Sequence, residues 1–339
     1  MASQNALVPS AQFRKKLRQR GGEVVSRCYQ CATCSTACDL ATPDRPFPRK
    51  QMLEAQWGLS ERLMADPALW LCHQCNDCSA RCPRNARPGD VMAVLRALVV
   101  ETLAAPKFMG PLVGNAARTW PLLIGVPILF WAALLFGFGE RVPANLHAYE
   151  EFVPHVYIYT VYFTVSAWVV GAFWLGGKRF WDLIGQGETR RGSFWRALWL
   201  TLVDIAVHRR FGRCGEAKPR KWAHFALMWG FVGAAIASAL IIVYMYGLNE
   251  PLPLPQTNIS KLIGNGSAVL LVVGSLMLLS GRLEDKDRVG RTNAFDAFFL
   301  GVVLLVTFTG VLTELGRYVM SPTIACAIYV VHLGSVLCL

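Results

Sequence analysis

The sequence predicts an all-α chain in two unlike parts: a helical, cysteine-rich part over residues 1–110, then a six-span transmembrane helical bundle over residues 111–339. Three observations predict it. Eight of the 11 cysteines fall between Cys28 and Cys82, little of that region alternates like a strand, and long uncharged apolar stretches fill the rest. The averages of 54% hydrophobic and 17% charged residues with net charge +12 therefore combine two compositions. Residues 1–110 carry 15 Lys+Arg and 9 Asp+Glu, against 19 and 13 in the much longer remainder.

The chain starts MASQNALVPSAQFRKKLRQR, polar then basic, with no apolar signal region. Cys28-x2-Cys31-x2-Cys34-x3-Cys38 follows, and after 33 intervening residues Cys72-x2-Cys75-x2-Cys78-x3-Cys82-Pro83. Two such runs form the ligand set of two 4Fe–4S clusters. Three thiolates of a run hold one cubane, and the fourth normally reaches the other. We assign Cys28, Cys31, Cys34 and Cys82 to one cluster, and Cys72, Cys75, Cys78 and Cys38 to the second. Zinc is the rival, but a zinc ribbon leaves two cysteines of each run unexplained. Disulfides are disfavoured by the expected cytoplasmic location. Asp39 stands where a proline often follows the fourth cysteine. Between the runs, Met52, Leu53, Gln56, Leu59 and Leu63 predict a helix over Arg49–Met64. After them, Pro-Gly-Asp opens a predicted helix Pro88–Leu103 with Val91, Leu95, Leu98 and Val99 on one face. This is a helical two-cluster ferredoxin domain. Arg84, Arg87 and Arg96 either bias the clusters or form a solvated face.

The six predicted spans are 119–139, 152–177, 222–249, 262–281, 295–316 and 318–339, each near the ~20 apolar residues a bilayer requires. Gly/Pro punctuation at Pro106–Pro111 separates them from the cysteine-rich part. Loop charge sets their orientation. Loop 178–221 holds 11 basic and 4 acidic residues, including Lys178, Arg179, Arg190, Arg191, Arg209, Arg210 and Lys221. Loop 282–296 adds Arg282, Lys286, Arg288 and Arg291. The opposite loops, including the stiff Pro251-Leu-Pro253-Leu-Pro255 turn, are nearly free of basic residues. The positive-inside rule then puts both termini on the cytoplasmic side of the membrane, which is expected to be the cytoplasmic membrane of a bacterial or archaeal cell. The basic excess thus marks orientation, and a nucleic-acid binder becomes a poor third reading. Ser193–Phe211 spaces Trp195, Leu198, Trp199, Leu202, Ile205 and Ala206 helically, between charges. It is expected to lie on the cytoplasmic surface of the membrane lipid.

Of six histidines, His73 sits within the second cysteine run, His147 in an outer loop and His208 on the surface helix. The other three lie in or at spans: His155, His224 and His332. Ionisable groups there suggest function. Beside an electron-transfer domain, axial ligation of one or two b-type haems is the leading reading, making this a bundle of cytochrome-b type. His155 and His332 both fall in the outer half, a plausible pair where their helices adjoin, which leaves His224 without a partner. The sequence reaches Val336-Leu-Cys-Leu339 without a cap or basic flank. We expect the sixth helix to continue and to bring a further histidine opposite His224. Cys214, Cys326 and Cys338 read as bystanders.

The block Leu69–Met92, LWLCHQCNDCSARCPRNARPGDVM, ahead of such a bundle resembles the C subunits of the quinone-interacting membrane-bound oxidoreductases (Qmo). These are similar to a fusion of the C and E subunits of heterodisulfide reductase, the first a two-cluster ferredoxin and the second haem-bearing. Arg210–Gly233, with Cys214, His224 and a closing GFVG, is similar to the start of the haem-bearing bundle. The resemblance implies an electron conduit, an oxidoreductase subunit with no stand-alone catalytic residues. It would join menaquinone, through haem b, to two cytoplasmic flavin/iron–sulfur subunits like Qmo A and B. Through them it would serve adenylylsulfate reductase in sulfur metabolism. Two rivals are a heterodisulfide-reductase-like or sulfite-reductase-associated membrane subunit, and a haem-free anchor with structural clusters. Glu314 and Asp296, at span ends, are candidate proton relays or ordinary interfacial charges.

Overall fold

The computed structural model describes residues 7–184, 192–209, 218–284 and 293–339. Cys214 and the basic residues Arg190, Arg191, Arg210, Lys286, Arg288 and Arg291 lie outside them, as does Phe211 at the end of the expected surface helix. The chain divides into two units, Met1–Gly114 with Ala172–Pro219 and Gly281–Thr292, and Asn115–Gly171 with Arg220–Ser280 and Asn293–Leu339. Among the described residues there is no strand, only the isolated bridge Thr42–Arg45. The all-α expectation therefore holds.

In the first unit, α1 (Ala11–Leu17) is capped by Ser10, whose Oγ accepts from the Phe13 amide at 3.1 Å. Helix α2 covers Arg49–Trp57 and α3 Ser60–Met64. The single helix expected over Arg49–Met64 is therefore corrected to two. Gly58 ends α2 in the left-handed region at φ 74°, and the chain turns there before restarting. Both pieces still bury the expected apolar set, with Met52, Leu59 and Leu63 almost wholly enclosed. Helix α4 (Pro88–Leu103) matches expectation, with Pro at its first turn. It forms the spine of the core, burying Val91, Met92, Leu95, Leu98 and Val99 against Leu17, Val25, Met52, Leu63 and Leu69. The expected linker at Pro106–Pro111 instead carries a helical turn, Met109–Gly114, with Gly110 close against the Glu101 carbonyl. Arg20 fastens this region, pairing with Glu101 at 2.9 Å and donating to the Gly114 carbonyl.

Helix α5 is Ala116–Gly137, α6 His155–Ile184, α7 Phe194–Val207, α8 Lys218–Ile242, α9 Ile259–Glu284, α10 Ala294–Val319 and α11 Pro322–Val336. Five of them (α5, α6, α8 with its continuation to Gly247, α9 and α10) are long and apolar enough to cross a bilayer, which marks a membrane protein. The sixth expected span is shorter than expected. Pro322 starts α11, and its 15 residues reach about 22 Å, against a ~30 Å hydrocarbon core.

The final turns of α6 belong to the first unit. There the Arg179 guanidinium donates to the Leu103 and Ala104 carbonyls (3.3 and 3.1 Å), satisfying the end of α4. Phe180 meets Trp70 edge-on at 5.4 Å. Helix α7 leaves Trp195 and Trp199 exposed, at 73% and 67%, and stops at His208, which turns left-handed.

In the second unit, small residues bring helices close. A side chain at Gly334 of α11 would meet the backbone of Ile128 on α5 at 2.7–2.8 Å. Trp131, Leu135, Phe152, Val153, Cys326, Val330 and Leu333 form a common core. Gly230 lies against Leu271 and Gly233 against Ser267, so α8 and α9 run antiparallel.

Candidate iron–sulfur sites and the membrane histidines

The two cysteine runs fold alike. In each, the residues two and four after the first cysteine are left-handed: Gln30 (φ 59°) and Ala32 (68°), Gln74 (55°) and Asn76 (68°). Loops that alternate in this way form backbone concavities that bind anions and many iron–sulfur groups. Each loop then enters a single helical turn, Thr33–Thr36 or Asp77–Ala80, which carries its third cysteine, Cys34 or Cys78.

The first-run loop and the end of the second surround one cavity open to solvent. Cys28, Cys31, Cys34 and Cys82 all line it, with Tyr29, Gln30, Thr33, Arg49 and Arg84. Burial pushes the Cys34 thiol up to about 11, helped by repulsion from Cys28 and Cys82. Exposed Cys31 is lowered instead by its contact with Thr33. On the other side, burial raises Cys78, and Cys72, Cys75 and Cys38 add repulsion. Cys38 is raised by burial, with Cys72 and Cys75 adding to it. Each fourth cysteine therefore sits among the first three of the opposite run. A cysteine-lined cavity framed by such loops suits an iron–sulfur cluster. Among the described residues, no three His, Cys, Asp or Glu side chains group as holders of a single metal ion.

Side chains from the helices grip both loops. Gln56 of α2 donates to the carbonyls of Val25 (2.9 Å) and Cys28 (2.8 Å). Arg96 of α4 donates to the Cys72 carbonyl at 3.0 Å and to the Gln74 amide oxygen. Sequence reading took Gln56 for part of an apolar stripe; its partners lie 28 and 31 residues away, which periodicity cannot reveal. Gln56→Ala should cost about 1–3 kcal/mol by orphaning two carbonyls. Its loaded form should lose iron to a chelator faster than the parent, and equal rates would refute the grip. Asn76 is buried, accepts from Ser79 Oγ at 3.0 Å, and lies close against Gly89 at the start of α4, whose amide donates to that same Ser79 oxygen. Arg84 lies over the Tyr29 ring at 4.2 Å and donates to its hydroxyl.

The three membrane histidines stand at three levels. His332 Nδ1 meets Thr309 Oγ1 at 3.0 Å, and its ring lies against Gly310. His155 Nε2 faces Glu150 at 3.6 Å, and its ring stacks on Tyr159. Tyr162 donates to the Leu333 carbonyl, so His155, two turns earlier on α6, lies about 10 Å from the His332 level. His224 is half-buried on α8, one turn before Leu227, which packs with Val303 of α10. Val303 is six residues before Thr309, which sets His224 roughly 13 Å away on the other side. The expected pairing of His155 with His332 is thus not formed: their helices adjoin, but their registers differ. These three residues do not fit a haem that needs two of them face to face. Of the three, His332 would be the one to hold a haem, since Thr309 already engages its Nδ1.

Comparison with known proteins places residues 24–86 in the 4Fe-4S dicluster domain family. The C subunit of the H(2):CoB-CoM heterodisulfide,ferredoxin reductase of Methanothermobacter thermautotrophicus is 35% identical over 150 residues, 43% of this chain and 78% of that one. A protein of Archaeoglobus profundus, described as like the heterodisulfide reductase C subunit, is 35% identical over 89 residues, 26% and 47% of the two chains. The C subunit of the ferredoxin:CoB-CoM heterodisulfide reductase of Methanosarcina acetivorans is 32% identical over 90 residues, 26% and 35%. No solved structure matches. A dicluster domain on a membrane protein makes this an iron–sulfur electron-transfer protein. By its dicluster domain and its 78% coverage of the Methanothermobacter relative, the chain belongs to the heterodisulfide reductase C-subunit family.

Proposed function

We propose that this chain relays electrons between the menaquinone pool and cytoplasmic flavin/iron–sulfur subunits, from a position in the cytoplasmic membrane with both termini inside. The observation that carries the reading is a cavity lined by Cys28, Cys31, Cys34 and Cys82 in one chain with five helices of spanning length. Residues 1–110 form the cytoplasmic domain and residues 111–339 the membrane domain, with α7 on the lipid surface. The two cysteine sets (Cys28, Cys31, Cys34, Cys82 and Cys72, Cys75, Cys78, Cys38) hold two 4Fe–4S clusters, which supply one-electron carriers when bound. Gln56 and Arg96 keep the loops in shape. Haem b enters the proposal only as a group that His332 would hold, and no electron step is assigned to it.

The block Leu69–Met92 supports Qmo-type soluble partners and adenylylsulfate reductase as the acceptor they serve. The relatives' names favour a second reading, a heterodisulfide-reductase-type soluble partner in the same role. Purification of the native complex separates the two, by whether adenylylsulfate reductase or heterodisulfide reductase subunits accompany the chain. A menaquinol analogue added to anaerobic membranes should reduce the clusters, as read by electron paramagnetic resonance. Clusters that dithionite reduces and the quinol does not would overturn the quinone link. His332→Ala should abolish the b-type α-band of the reduced spectrum. An unchanged band would exclude His332 as ligand, and no band in the parent would leave a haem-free protein.

A further inference from the structure

Three hydrogen bonds reach the sulfurs of one cysteine ring. Gln30 Nε2 donates to Cys28 Sγ at 3.4 Å, and the Ala86 amide donates to Cys82 Sγ at 3.3 Å. Thr33 Oγ1 lies 3.4 Å from Cys31 Sγ. A metal-bound thiolate has no proton to give, so in the loaded site the Thr33 hydroxyl is the donor. All three sulfurs belong to the ring that lines the open cavity, and Gln30 and Thr33 line it too. Local backbone places each donor. Left-handed Gln30 lies between Cys28 and Cys31, Thr33 opens the helical turn that carries Cys34, and Ala86 follows Cys82 within one turn.

We infer that Gln30, Thr33 and the Ala86 amide form a donor set that raises the reduction potential of the cluster held by Cys28, Cys31, Cys34 and Cys82. The inference rests on the two-cluster reading above. Reduction adds negative charge to a cluster, and donors to its sulfurs stabilise that charge. Gln30 and Thr33 are positioning residues that act through the sulfur they touch. Sequence reading found the cysteines and passed over both, since neither Gln nor Thr between ligands is a metal-site signal.

The test is a potentiometric titration of the full-length chain, followed by electron paramagnetic resonance. Gln30→Asn keeps a residue that tolerates the left-handed backbone but shortens the reach, and Thr33→Val removes the hydroxyl with little change of shape. Each should lower the midpoint of the cluster whose signal Cys28→Ser abolishes, and the double variant should lower it further. The other cluster should not move, and Thr33→Ser, which keeps the hydroxyl, should hold the parental value. Two assembled clusters with unmoved midpoints in the double variant would overturn the inference alone. So would a shift on the cluster that Cys28→Ser retains. Iron and acid-labile sulfide for fewer than two clusters in the unsubstituted chain would overturn the two-cluster reading, and this inference with it.

Discussion

Cys82→Ser is expected to abolish the cluster of the first cysteine run and to leave that of the second in place. The cavity that holds Cys28, Cys31 and Cys34 also takes in Cys82, more than forty residues on. The reciprocal change, Cys38→Ser, should spare the first cluster and remove the second, because Cys38 lies with Cys72, Cys75 and Cys78. Serine is a poor ligand in a thiolate set, so iron per chain should fall by about half in each variant. The resonance lost in Cys82→Ser should be the one lost in Cys28→Ser. Loss of the resonance that Cys72→Ser removes would show that each run serves its own cluster.

Gly334→Leu should produce the largest loss of stability in the membrane unit. Even a Cβ at this position would lie 2.7–2.8 Å from the Ile128 backbone, and backbone cannot swing aside as a side-chain tip can. Overpacking of this kind costs about 1–3 kcal/mol, and separating α5 from α11 also disturbs the core around Trp131 and Leu333. Thermal unfolding in detergent should show a clearly lower midpoint. Gly125→Ala, on α5 with open space around it, should stay within about 0.5 kcal/mol of the parent. Equal midpoints for the two variants would show that α5 and α11 do not pack through Gly334.

Much of this architecture is legible in the residues because its causes are local. Pro-Gly-Asp opens α4, and spacing alone defines the two cysteine runs. Charge-free stretches reveal the long apolar helices, although α6 continues through Lys178 and Arg179 to Ile184, past the expected end at 177. What escaped the sequence depends on neighbours. Gly58 splits a helix whose periodicity runs straight through it, since Leu63, beyond the break, points into the same core as Met52. His155 and His332 fall at similar levels when depth is counted from each span's end. Depth in fact follows from how α6, α10 and α11 slide past one another, as fixed by contacts such as Tyr162 with Leu333 and Gly310 with His332. Gln56 and Arg96 reach carbonyls of distant loops, and no periodic pattern encodes a side chain's reach.

The contact between Asn76 and Gly89 limits how this chain can diverge. A Cβ at Gly89 would fall 2.1 Å from the Asn76 side-chain oxygen. The residue that makes Pro-Gly-Asp a helix start thus also makes room for the second cysteine loop. The matching place in the first loop holds Ala32, which has no amide to accommodate. Positions 76 and 89 should therefore change together in descendants of this sequence. Alanine at 89 needs a shorter residue at 76 and a small shift of Ser79 Oγ, 3.0 Å from the same Cβ, and an inherited asparagine at 76 keeps 89 as glycine.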